Sequence, residues 1–83
     1  MRYTVTATDL AIDALNRFWL TAPDPAAVTT ASNQIDQLLK TRPEQRGVPF
    51  GMFRRFTVWP LEVLYHVSPD DCLVTILYYR LLS

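Results

Sequence analysis

The chain has 83 residues, with 8 Lys+Arg against 8 Asp+Glu and a formal net charge of zero. That length allows one domain around one core, and the charge balance excludes a global attraction to nucleic acid or anionic membrane, so any nucleic-acid contact has to be a local patch. A hydrophobic fraction of 49% with 2 Gly marks a folded chain, and Cys72, as the only cysteine, excludes an intrachain disulfide and a cysteine-rich zinc site.

The sequence opens on the alternation Arg2-Tyr3-Thr4-Val5-Thr6 with no long apolar region behind a basic start. No apolar run approaches the roughly 20 residues that span a bilayer, which predicts a soluble, unexported, cytoplasmic protein. Residues 2–7 read as a strand carrying Tyr3, Val5 and Ala7 inward. Thr8 is placed to cap a helix in which Ala11, Leu15, Phe18, Trp19 and Ala22 recur at helical spacing, with Asp9 and Asp13 in the early turns where the helix dipole favours anions. Pro23 breaks it. Asp24-Pro25 is a cap followed by a first-turn proline, so a second helix follows, with Val28, Ala31, Ile35, Leu38 and Leu39 as its apolar stripe and Pro43 as its stop.

Glu44 to Gly51 reads as an exposed connection with a short extended piece at Val48 to Phe50. The stretch from Phe53 to Val67, FRRFTVWPLEVLYHV, then organises the rest. Phe56 and Val58 alternate with Arg55 and Thr57, and Val63, Tyr65 and Val67 alternate with Glu62, Leu64 and His66, so two strands with unlike faces meet at Trp59-Pro60. Pro60 lacks a donor for the ladder and belongs in the connection. Ser68-Pro69-Asp70-Asp71 is a turn, and the apolar run Cys72 to Tyr79 reads as an interior strand covered on both faces. The expected fold is α+β over 1–83 as a single domain: a helical hairpin on one face of a small, largely antiparallel sheet, in the order β-α-α-β-β-β.

This order, together with RRFTVWPLEVLYHV, an Asp-rich turn and an apolar strand ending in a basic residue, resembles the RelE/ParE superfamily of type II toxin–antitoxin toxins, which includes plasmid-stabilisation-like proteins. The resemblance covers nearly the whole chain and is carried most specifically by Arg55, Phe56, Val58 and the run from Val63 to Val67. It implies an antitoxin partner and, for members that cut messenger RNA on the ribosome, groove arginines and lysines that stabilise the phosphate's developing charge. On that pattern the nuclease residues are Arg55, His66 and Arg80, and the RNA- or target-binding residues are Arg54, Arg55, Tyr78 and Arg80. Two positions depart from it. Glu62 stands where the family has an arginine opening a strand, and Thr57 matches the second arginine of the strand before. The sequence also ends at Ser83 without the family's C-terminal tyrosine.

Each of these residues has a plainer reading. His66 is a general base or a solvated strand histidine, Arg54 and Arg55 are phosphate ligands or edge charges, and Tyr65 is packing rather than a base-stacking platform. Tyr78 or Tyr79 stays open to stacking. Asp70 and Asp71 are turn formers, and neither a metal site nor a cofactor is expected. Phe50, Met52, Phe53 and Trp59 exceed what so small a core needs and mark a partner-binding surface. Three classes follow: a toxin component that acts mainly by binding an antitoxin and a cellular target; a ribosome-dependent mRNA endoribonuclease; and a catalytically silent interaction domain, including the type that inhibits DNA topoisomerase.

Overall fold

Thr8 does two jobs at the start of the first helix. In the computed structural model, which describes residues 2–82, its hydroxyl accepts from the Ala11 amide (3.1 Å) and donates to the Leu77 carbonyl (3.0 Å). The cap therefore also ties the helix to a strand far away in sequence. The elements run β1 (Thr4–Ala7), α1 (Asp9–Thr21), α2 (Pro25–Leu39), a 3-10 turn (Pro43–Gln45), β2 (Val48–Phe50), β3 (Phe53–Val58), β4 (Leu61–Ser68) and β5 (Leu73–Leu81). Asp24 caps α2 through a bond from the Ala27 amide (3.2 Å), with Pro25 in the first turn. Asp24-Pro25 therefore performs the role its sequence predicts.

The sheet has the order β1-β5-β4-β3-β2, antiparallel except that β1 runs parallel to β5. The α1–α2 hairpin carries the chain from β1 to β2 at the opposite edge, and the antiparallel run β2-β3-β4-β5 brings it back beside β1, so the parallel pair is joined by all the elements between. The hairpin covers one face. Its buried Ala11, Val28, Ala31, Ile35 and Leu39 belong to one core with Leu61, Val63, Tyr65, Val74, Ile76 and Tyr79 of the sheet. Leu15, Phe18 and Phe56 pack against this core while remaining partly exposed.

Two expectations need correction. β5 is interior in the strand order but is covered on one face only, because both helices lie on the same side of the sheet. Its register passes from Leu64↔Tyr78 to Tyr65↔Ile76 and leaves Leu77 in a bulge, which resets the alternation. Tyr79 therefore enters the core and Tyr78 faces outward, a choice the sequence left open. In α2, Leu39 is fully buried while Leu38, about 100° further round the helix, is only partly buried and lies off the core. Leu39→Ala is expected to cost about 2–5 kcal/mol, as a cavity at a fully packed site does, and Leu38→Ala clearly less. Urea unfolding checks this ranking; equal losses would mean the buried stripe of α2 is centred elsewhere.

Candidate functional site

The face of the sheet away from the helices is not covered by any described element, and its side chains form cross-strand rows. Thr57, Glu62 and Arg80 lie in register in one row, and Arg55, Leu64 and Tyr78 in the next. With Phe50 from the edge strand, Arg55, Glu62, Leu64, Tyr78 and Arg80 line a shallow cleft of about 190 Å³. Alternation alone puts Arg55, Glu62 and Leu64 on one face, and the β5 bulge brings Tyr78 and Arg80 into line with them.

The electrostatics of this cleft are mixed. The Arg80 Nε lies 3.3 Å from Glu62 Oε1, and the Glu62 side chain is 17% exposed against 62% for Arg80. The more enclosed carboxylate thus takes up the charge of one of the two arginines. Arg55 is held differently, with its guanidinium carbon over the Phe50 ring, 4.8 Å from the centroid, a cation–π contact at the cleft wall. His66 shares the face with Glu62 but does not line the cleft; its ring meets Phe53 edge-on, at 6.1 Å between centroids. The three residues expected to cut RNA are therefore dispersed: Arg55 at one wall, Arg80 in an ion pair, His66 outside.

Arg54 is parted from them altogether. It pairs in register with the core residue Tyr65, on the helix side of the sheet, and its guanidinium donates to the carbonyls of Arg46 (2.8 Å) and Gly47 (3.3 Å). The Tyr65 hydroxyl lies 2.7 Å from the Pro43 carbonyl and 2.9 Å from that of Arg46, so its one hydrogen serves either. Arg46 donates in turn to the Leu38 carbonyl (3.0 Å) and the Thr41 hydroxyl (3.2 Å). This network, which sequence reasoning missed, fixes the connection before β2 and so sets where Phe50 stands relative to Arg55. A signal for it was present: Arg54 is in phase with Phe56 and Val58, the core side of β3.

Of the four residues marked for partner binding, Phe50, Met52 and Phe53 sit together at the β2–β3 hairpin, where Phe50 pairs in register with Phe53, whereas Trp59 stands at the far end of β3, about 23 Å from Met52 by strand rise. Trp59, in the turn with Pro60, instead borders a second cleft of about 150 Å³ with Ala22, Pro23, Asp24, Ala27 and Leu81. Among the described residues no group of three or more His, Cys, Asp or Glu is arranged to hold a metal ion, and no helix is long and apolar enough to cross a membrane.

Beneath the cleft the tyrosines are held neutral. Burial pushes the Tyr79 phenol up to about 12, with Asp36 adding to the shift, and burial also raises Tyr65 against the opposing influence of Arg54. Because the folded-state value of Tyr79 lies above its ordinary 10.0, its contribution is complete below pH 10 and is lost as the pH rises toward 12. The loss amounts to about 3 kcal/mol at most, at 1.36 kcal/mol per unit. Tyr79→Phe is expected to flatten the alkaline limb of stability against pH; an unchanged limb in urea titrations would place the transition on another group.

No family model and no curated protein sequence matches the chain. Solved structures do. The toxin–antitoxin complex RelBE2 from Mycobacterium tuberculosis superposes with a TM-score of 0.82 at 19% identity, over 98% of this chain and 92% of that one. The chromosomal ParDE toxin–antitoxin system from P. aeruginosa gives a TM-score of 0.70 at 18% identity, over 99% of this chain and 98% of that one. The chain has the RelE/ParE-like α+β fold. TrmO from P. aeruginosa also matches, with a TM-score of 0.63 and 23% identity over 95% of this chain but only 35% of that one. The RelE/ParE-like fold thus also forms part of a longer protein, and activity has to be argued from the residues of the cleft.

Proposed function

We propose that this chain is the toxin-type member of a type II toxin–antitoxin pair and acts by binding an antitoxin and a cellular target, not by cutting RNA. The Arg80–Glu62 ion pair carries this reading. A phosphoryl transition state gathers negative charge, and a carboxylate within the cleft opposes it while occupying one of the two available guanidiniums. With His66 turned to Phe53 outside the cleft, the one remaining candidate base is Glu62, whose carboxylate is committed to Arg80. What remains is a largely apolar recess with exposed Phe50 in its wall, which suits protein contact. The RelBE2 and ParDE structures, being toxin–antitoxin systems, support an antitoxin as partner, and a cytoplasmic location belongs to the same proposal.

Induced expression tests it, alone and together with whatever small reading frame adjoins this one. Growth arrest relieved by the neighbour, a co-purifying complex and intact messenger RNA are the expected result. A supercoiling assay then asks whether a DNA topoisomerase is the target. Message cut at mapped codons by the unmodified protein would instead favour the ribosome-dependent nuclease built on Arg55, His66 and Arg80.

A further inference from the structure

We infer that the open-face cleft accepts a peptide segment presenting one carboxylate side chain between aliphatic neighbours, with Arg55 as its anchor. The inference deepens the protein-binding reading above and rests on it.

Charge comes first. Arg55 and Arg80 against Glu62, two positive charges less one negative, leave the cleft with one positive charge. Arg80–Glu62 is the one ion pair found among the described residues, so the balance resides on Arg55. The Arg55 guanidinium carbon sits over the Phe50 ring, which accepts no N–H bond of the kind a carboxylate does, so the guanidinium keeps donors for a carboxylate that takes two at once. Shape comes next. Phe50, Leu64 and Tyr78 make the remaining wall largely apolar, and about 190 Å³ is room for a side chain or two rather than for the ligands that fill pockets of roughly 300–1,000 Å³.

A polyanion fits this cleft less well than a peptide does. Successive phosphates would meet the Glu62 carboxylate beside the single uncommitted guanidinium, and the chain as a whole carries no excess positive charge to compensate. A segment with one Asp or Glu flanked by Leu, Ile or Val matches the one charge with one charge and covers the apolar wall. Its flanking residues need no partners from the cleft beyond contact.

Three small probes test the inference on the full chain: acetyl-Leu-Glu-Leu-amide, its Gln counterpart acetyl-Leu-Gln-Leu-amide, and the single-phosphate dinucleotide uridylyl-uridine. The readout is the NMR shift of the Arg55 Nε–H and of the Leu64 and Tyr78 amides during titration. The Glu peptide should move all three saturably, and the Gln peptide should bind roughly tenfold more weakly, the value of a charge-assisted bond. Arg55→Gln, at an exposed position that should leave the core amides unshifted, should abolish the response to the Glu peptide. Glu62→Gln should tighten it several-fold by releasing Arg80. Equal binding of the Glu and Gln peptides, a response that survives Arg55→Gln, or tighter binding of uridylyl-uridine than of the Glu peptide would each overturn the inference. Rescue of growth by the neighbouring frame without any peptide response would sink it while leaving the protein-binding reading in place.

Discussion

Gly47→Ala is expected to destabilise the protein by about 3 kcal/mol or more, whereas Gly51→Ala costs about 1 kcal/mol. Both glycines have left-handed backbone, with φ of 62° at Gly47 and 63° at Gly51, so an alanine at either pays the same conformational penalty. Their surroundings differ. A Cβ at Gly47 would lie 2.0 Å from the Arg55 carbonyl oxygen and 3.0 Å from the Phe56 Cα, while one at Gly51 would meet nothing within 4 Å. The atoms in the way at Gly47 are backbone, and they cannot swing aside as a side chain would. Relief requires the connection to lift from β3, breaking the bonds from Arg54 to Arg46 and Gly47 and shifting the strand that carries Phe50. Paired chemical denaturation curves check this, and peptide titration follows the site: Gly47→Ala should weaken binding at Arg55, and Gly51→Ala should leave it unchanged. Equal stability losses would show that close approach adds nothing to conformational strain.

Local signals made the outline of this fold legible. Thr8 and Asp24-Pro25 mark the helix starts, and the alternation from Phe53 to Val67 gives two strands and assigns Arg55, Glu62, Leu64 and His66 to a common face, all as the structure has them. The misreadings arose where phase is set from a distance. The apolar run in β5 hides a bulge at Leu77, and since a bulge depends on the partner strand, nothing in CLVTILYY decides which of Tyr78 and Tyr79 points inward. Leu38 and Leu39 are equally apolar, and only the packing of α2 over the sheet separates them. Arg54 and Arg55 are adjacent and both basic, which groups them in the sequence, yet adjacent strand residues face opposite ways, and the alternation that puts Phe56 in the core puts Arg54 on that side too. Sequence proximity joins Trp59 to Phe50, Met52 and Phe53, and the length of β3 parts it from those three, which stay together at the β2–β3 hairpin. The Arg80–Glu62 pair spans two strands; the sequence offered Glu62 as a neutralising charge, and register decided which arginine it meets.

Glu62→Arg is expected to create or raise RNA cleavage by several hundredfold, best seen on ribosome-bound message. The wild-type cleft sets a carboxylate against Arg80 and close to Arg55. Exchanging it for a guanidinium turns two positive charges and one negative into three positive, freeing Arg80 and adding a donor able to bind two phosphate oxygens at once. One preorganised donor facing developing charge contributes about 3–4 kcal/mol to a transition state, which sets the scale of the gain. Recovery should be partial, because Thr57 still stands in the same row where the family's second arginine would stand, and His66 remains against Phe53. Glu62→Gln separates the two contributions: it removes the repulsion and releases Arg80 without supplying a new donor, so its activity should fall between wild type and Glu62→Arg. The same exchange should make binding of single-stranded RNA more salt-dependent, since each added phosphate contact contributes about 0.7 to the log–log slope. If the unmodified protein already cuts message efficiently and both substitutions abolish that activity, Glu62 is a working base, with Arg80 orienting its carboxylate, and the binding-only reading falls.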